Sequence, residues 1–433
     1  MKRWRIDVFT RRRGLAAALA VLIVAATAGR PDDGRAESTR PATAGFSRAK
    51  LQRVGDYLDK EIAAGRIPGA VLLIQQHGQP VYFESFGRRD VSSPAPMTAD
   101  SIFRLYSMSK PLTSVAAMML VEDGKLALGD PLAKYLPDFA DVKVNVERPA
   151  ENGQQARGLE PARRPITIED LLRHTSGLTY GFYGDSTVRK LYAHSDLFEG
   201  DFDNAAFARR LAKLPLAEQP GTRWDYGHST DVLGRVIEVA SGQSLFDFEK
   251  QRLLDPLGMR DTAFSVADPA QRPRIAEPLP ADWFARPVAG LSDPTLPGHW
   301  QSGGAGMVGT ISDYARFAQM LLNGGTLDGR RYLTPATIAS MTSDHIGPAT
   351  KIVRDESYFP GAYSGFGLGF AVRTQPENAL LPAGEYRWDG IGGTFFFVDP
   401  KDDMFTICMM QSPSQRGRIE TELKTLVYEA LEK

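Results

Sequence analysis

Apolar residues first recur every three or four positions. Leu51, Val54, Tyr57, Leu58 and Ile62 share one face of a helix predicted from Ser47 to Ala64. Gly65 ends it and Pro68-Gly69 turns the chain. The spacing then becomes that of strands: Ala70–Gln76 and Val81–Phe86, joined by His77-Gly78-Gln79-Pro80, predict an antiparallel hairpin. From about Ser107 to Asp293 the pattern is helical with polar loops. Short helices are predicted at Ile168–His174, Asn204–Ala212, Ser229–Ser241 and Leu245–Leu253, and a surface excursion over Glu147–Pro165. Strands return at Gly367–Arg373, Thr394–Val398 and Met404–Met410. A last helix, from about Arg418 to Leu431, gathers Ile419, Leu423, Leu426, Val427 and Ala430 on one side. The outline is an α+β fold: an antiparallel β-sheet flanked by helices, built from both chain ends, with an inserted mainly helical part.

The first 28 residues break this pattern. Lys2, Arg3, Arg5, Arg11, Arg12 and Arg13 precede the uncharged run Gly14–Ala28, which closes on Ala26-Thr27-Ala28. Basic, apolar and small-residue regions in that order predict an export signal over 1–28, so a periplasmic or secreted protein. The run is too short to span a bilayer of roughly 30 Å comfortably, so no stable membrane anchor is expected. Thr10–Leu15 resembles a twin-arginine signal, although general export fits equally, and Ala36 offers a second cleavage point. Residues 29–44, rich in Pro, Gly, Asp and Thr, read as a linker.

Composition is that of an ordinary globular protein: 433 residues, 42% hydrophobic and 24% charged. The net charge of −1 leaves no basic excess for nucleic acid. Removing residues 1–28 removes six positive charges and one negative, leaving −6. The single cysteine, Cys408, excludes an internal disulfide and a cysteine-built metal site; its apolar surroundings predict a buried strand position.

Three stretches carry candidate chemistry. In Ser107-Met108-Ser109-Lys110, serine and lysine three positions apart share a helix face. An amine beside a hydroxyl can take its proton, and a helix N-terminus favours the developing negative charge. In Asp225-Tyr226-Gly227-His228, a tyrosine on a tight loop can serve as general base where neighbouring cations favour its phenolate. In Trp388-Asp389-Gly390-Ile391-Gly392-Gly393-Thr394, small residues let a substrate approach the backbone, and an N–H there can hold an oxyanion. Each has an ordinary structural reading by itself: a solvated helix start, a packed tyrosine, a turn before a buried strand.

Together, in this order, they resemble the serine β-lactamase and penicillin-binding-protein superfamily, above all its class C-like branch and the related family-eight carboxylesterases. That family carries S-x-x-K, then Y-x-N, then K-T-G or a substitute such as W-x-G. The resemblance spans about residues 47–431 and includes Ile168–Leu178, Tyr226–Gly242, Asp255–Met259 and Gly303–Met307 running on to Phe317. It implies one β-lactamase-like domain over 45–433, with a sheet part at about 45–105 and 300–433, a helical part at about 106–299 and the cleft between them. It implies Ser107 as acylated nucleophile, Lys110 as its activator and Tyr226 as general base. The oxyanion would rest on the backbone N–H groups of Ser107 and Ile391, and substrate on His228, Trp388, Asp389 and Gly390. No cofactor is called for.

Two departures redirect the substrate. His228 stands where the family has an asparagine amide donor, and Trp388-Asp389-Gly390 where lactamases have a lysine that holds a substrate carboxylate. Both turn the expectation from lactams and peptides toward neutral esters: a carboxylesterase or transesterase acting on small molecules. A β-lactamase or D-amino-acid peptidase or amidase is the alternative within the family, and a non-catalytic cell-wall-binding protein the alternative outside it. Gly304–Gly309 matches G-x-G-x-x-G without the βαβ frame nucleotide binding requires. Gly227–Asp231 only approaches G-x-S-x-G. The six histidines are scattered, so no metal site is expected, and His174 reads as a partner for loop backbone.

Overall fold

The computed structural model describes residues 45–149, 155–282, 284, 293–354 and 360–432. The expected export signal and linker lie outside them. Helix α1 (Arg48–Ala63) leads into strands β1 (Gly69–Gln76) and β2 (Gln79–Gly87). Helix α2 (Ser109–Glu122) follows, then a hairpin of β3 (Lys143–Pro149) and β4 (Gln155–Pro161), which begins before and overlaps the excursion expected over Glu147–Pro165. The helical middle continues with α3 (Ile168–Leu172), α4 (Thr187–Ala193), α5 (Asn204–Leu211), α6 (Ser229–Ser241) and α7 (Leu245–Glu249). Helices α8 (Ile311–Leu322) and α9 (Pro335–Met341) precede β5 (Ser364–Phe366), β6 (Ala371–Arg373), β7 (Tyr386–Asp389), β8 (Phe395–Asp399) and β9 (Met404–Met410); α10 (Arg416–Ala430) closes the fold.

Seven strands form one antiparallel sheet in the order β5-β6-β7-β8-β9-β1-β2. The N-terminal hairpin thus completes a sheet begun by the C-terminal strands. Successive side chains alternate between its faces. Val71, Leu73, Phe396, Val398, Phe405, Ile407 and Met409 enter the large core shared with α2, α8 and the helical middle. Leu72, Ile74, Phe395, Phe397, Met404 and Cys408 enter a second core against α1 and α10. Burial on both faces explains the unbroken apolar runs of β1 and β9 and makes Cys408 the buried strand residue expected. Because one core runs from the sheet into the helical middle, the two parts share their interior.

Several boundaries differ from expectation. Of the strand expected over Gly367–Arg373 only Ala371–Arg373 is strand, because Gly367 to Phe370 forms the turn that joins it to β5: the Gly367 N–H donates to the Phe370 carbonyl at 2.8 Å and Gly369 takes a φ of +102°. The helix expected to reach Leu253 stops at Glu249 and continues as a wider π turn over Lys250–Leu254. Strand β7 lies where the sequence showed only a turn before a strand. Among the described residues no helix is long and apolar enough to cross a membrane.

Candidate active site

Ser107 lies in a 3₁₀ turn, Tyr106–Met108, just ahead of α2 rather than within it. Pro111 falls in the first turn of α2, where a missing N–H costs nothing. Tyr106 takes a left-handed φ of +47°, a strained state for a residue with a β-carbon. Neighbours hold the segment: the Leu105 N–H donates to the Met307 carbonyl at 2.8 Å, the Tyr314 hydroxyl to the Met108 carbonyl at 3.1 Å and the Thr394 hydroxyl to the Leu105 carbonyl at 3.3 Å. Ser107 remains partly exposed while its neighbours are buried.

Lys110 is buried, 1% exposed, and its Nζ is 3.2 Å from Ser107 Oγ, 3.1 Å from the Tyr180 hydroxyl and 2.8 Å from the Gly304 carbonyl oxygen. It also lies over the Tyr226 ring, 4.6 Å from the centroid. Burial pulls its pKa down to about 7, against the opposing pull of the carboxylates of Asp231 and Asp389. A neutral amine has two hydrogens and one lone pair. The Gly304 carbonyl can only accept, so it takes one hydrogen. The other hydrogen and the lone pair then serve the two hydroxyls, and Lys110 can receive the serine proton.

Tyr226 is 1% exposed, and its phenol oxygen accepts the Trp388 indole N–H at 3.3 Å. The two rings are 5.2 Å apart. His174 packs against Tyr226 at 4.9 Å; burial first, and the charge on Lys110 second, push its pKa well down, so it is neutral. Its backbone carbonyl accepts the Asp225 N–H at 2.9 Å, but its buried Nδ1 has no hydrogen-bond partner among the described residues. The bond expected from this side chain to loop backbone is thus not seen at Nδ1; only the main chain of His174 makes one. The Gly390–Gly393 turn that carries Ile391 lies against the serine segment: a β-carbon on Gly390 would stand 2.4 Å from the Leu105 carbonyl oxygen, and one on Gly392 2.7 Å from the Tyr106 ring. Glycine here is a requirement of close approach.

Four expected residues thus converge: Ser107, Lys110, Tyr226 and Trp388. Two do not join them. Asp389 follows Trp388 and points to the opposite face of β7, with Arg416 of α10 3.7 Å away. His228 is 3% exposed, with Nδ1 2.8 Å from Asp231 Oδ2, and its ring is enclosed by Tyr180 at 4.4 Å and Phe207 at 5.2 Å. That nitrogen cannot also serve a substrate as the family asparagine would. Asp231 also accepts from Ser302 Oγ at 2.5 Å and the Gly304 N–H at 3.0 Å. Burial alone would raise its pKa, but the His228 hydrogen bond and nearby positive charge hold it low. The carboxylate thus anchors Gly304, the residue whose carbonyl orients Lys110. Tyr180 was not singled out in the sequence. Its only signal is its place two residues beyond the family-like stretch that ends at Leu178.

A model of the Beta-lactamase family matches residues 54–429. Protein Rv1367c of Mycobacterium tuberculosis is 36% identical over 363 residues, spanning 80% of this chain and 86% of that protein. Esterase EstB of Burkholderia gladioli is 35% identical over 386 residues, spanning 84% of this chain and 91% of EstB. Among solved structures, EstCE1, a hydrolase with promiscuous acyltransferase activity, superposes with a TM-score of 0.69 at 29% identity, over 88% of this chain and 99% of EstCE1.

Proposed function

From the premise that this chain belongs to the beta-lactamase family and is a serine hydrolase, we propose that it cleaves small-molecule esters through an acyl-enzyme on Ser107. The observation that carries the reading is the buried, near-neutral amine of Lys110 within 3.2 Å of Ser107 Oγ. In the first half-reaction Ser107 Oγ bonds to the ester carbonyl carbon as its proton passes to Lys110. The carbonyl oxygen becomes an oxyanion facing the N–H groups of Ser107 and Ile391, donors of a kind worth about 3–4 kcal/mol each. The tetrahedral intermediate collapses, the alcohol leaves with a proton passed through Tyr226, and the acyl group stays on the serine. Water or a second alcohol, deprotonated by Tyr226, then attacks the acyl carbon, the bond to Ser107 Oγ breaks, and the proton returns to that oxygen as the acid or new ester leaves.

Esters are favoured over lactams and peptides by the two departures in the site. His228 Nδ1 is engaged by Asp231, and a neutral indole stands at Trp388. The esterase EstB and the hydrolase EstCE1 support the same class. The pattern of residues 1–28 supports export, for which the mature N-terminus should be Gly29 or Glu37 by mass spectrometry.

The test is hydrolysis of p-nitrophenyl butyrate together with labelling by a fluorophosphonate probe. Wild type should turn over the ester and take the label, and Ser107→Ala should do neither. Near wild-type hydrolysis by Ser107→Ala would overturn the assignment.

A further inference from the structure

Aromatic rings pack in an unbroken series around Tyr180 and His228, and two of them are held open to solvent. Phe182 is 62% exposed and Phe198 is 56% exposed. Isolated exposed phenylalanines are common on protein surfaces, but these two join a continuous ladder of rings that reaches the amine. The Phe182 ring is 4.7 Å from Tyr180, whose hydroxyl is 3.1 Å from Lys110 Nζ. The Tyr180 ring is 4.4 Å from His228, and His228 is 5.8 Å from Phe198. Phe198 in turn lies 5.6 Å from Trp300, which stacks on Phe207 at 4.7 Å. The bond from His228 to Asp231 draws the Nδ1 of that histidine away from the ladder.

We infer that this ladder is the binding wall for a bulky apolar or aryl group of the ester, with Phe182 and Phe198 as its open end. The claim rests on the ester-hydrolase reading and narrows it to esters that carry such a group. A phenyl ring laid on Phe182 or Phe198 would cover apolar surface that is now wet and gain an aromatic pair.

Two substrate series decide it. Across p-nitrophenyl acetate, butyrate and 3-phenylpropanoate the acyl group changes; between ethyl acetate and benzyl acetate the alcohol changes. In at least one series wild-type kcat/KM should rise about tenfold or more with the phenyl group, and the series that responds tells which half of the ester meets the wall. Phe182→Ala and Phe198→Ala, both at exposed positions, should each cut the preference for the phenyl-bearing ester over acetate about fivefold, chiefly through KM. Equal turnover of small and phenyl-bearing esters by wild type, or a preference unchanged in both variants, would overturn the wall. Binding of p-nitrophenyl 3-phenylpropanoate and of benzyl acetate to Ser107→Ala, followed by calorimetry with and without Phe182→Ala, reads the wall apart from turnover. Binding weakened by Phe182→Ala in a protein whose wild type hydrolyses neither ester would sink the esterase reading and keep the wall. No binding of either would sink the wall.

Discussion

Trp388 and Tyr226 come from strands and loops 162 residues apart in the chain, and the indole N–H of one is 3.3 Å from the phenol oxygen of the other. That bond fixes where the phenol can turn. Trp388→Phe keeps an aromatic ring beside Tyr226 and removes only the donor. A neutral hydrogen bond of this kind is worth about 1 kcal/mol. The expected result is a fall in kcat of about fivefold with KM nearly unchanged, read from steady-state hydrolysis of p-nitrophenyl butyrate.

The lowered pKa of Lys110 predicts an acid limb. Below about pH 7 the amine is charged and cannot take the serine proton; above it the amine is neutral. Log kcat/KM should therefore rise with pH and level off above about 7. The Asp231 carboxylate favours the charged amine, so Asp231→Asn should move the limb to lower pH. A limb unmoved by Asp231→Asn would assign it to another group.

The Thr113 hydroxyl has one hydrogen but faces two acceptors, Glu249 Oε1 and the Gly303 carbonyl, both at 3.0 Å. If it donates to Gly303, Glu249 must itself be the donor, hence protonated. Burial agrees: Glu249 is 0% exposed and its pKa is pushed up to about 8, only partly offset by the Thr113 hydrogen bond. The folded protein keeps this proton up to about pH 8, whereas the unfolded chain gives it up near 4.5. Stability should fall as pH rises between those values, by an amount on the order of a few kcal/mol. Glu249→Gln should flatten that slope in a series of thermal melts.

The His345–Glu169 pair combines both signs of pH dependence. Its Nδ1 is 3.0 Å from Glu169 of α3, its Nε2 is 2.9 Å from the Ser340 carbonyl of α9, and its backbone N–H donates to Phe366 of β5. The hydrogen bond with Glu169 raises the histidine pKa and lowers that of the glutamate. The stabilisation from His345 is complete below 6.5 and is lost as pH climbs through its raised folded value. That from Glu169 is lost as pH drops through its lowered one. Glu169→Gln should remove about 1 kcal/mol at pH 6 and less at pH 9, read by urea denaturation.

The sequence announced the parts of the site held by local spacing and hid those held by tertiary packing. Ser107 and Lys110 were legible because three positions on a helical turn bring side chains together wherever the turn lies. Tyr180 was not, because a loop tyrosine shows no period; only the fold brings its hydroxyl to Lys110. The periodic runs of α1, β1, β9 and α10 located the sheet and its outer layer. Strand β7 escaped because its four residues include Arg387 and Asp389 on the face toward α10, a polar pair that reads as a turn. His228 was read as a substitute for a substrate-facing amide; its partner Asp231, one turn into α6, engages its Nδ1 instead.

The two ends of the folded domain are stitched together. The Ser47 N–H donates to the Ala430 carbonyl and the Glu432 N–H to the Gly45 carbonyl, each at 2.8 Å, while β1 pairs with β9. During synthesis, then, the first hairpin waits on the ribosome for a neighbouring strand made more than three hundred residues later. The order of elements along the backbone is correspondingly dispensable. A circular permutant that joins residue 432 to residue 45 through a short glycine-serine bridge, and opens the chain at the tip of the β3–β4 hairpin, should reach the same tertiary structure.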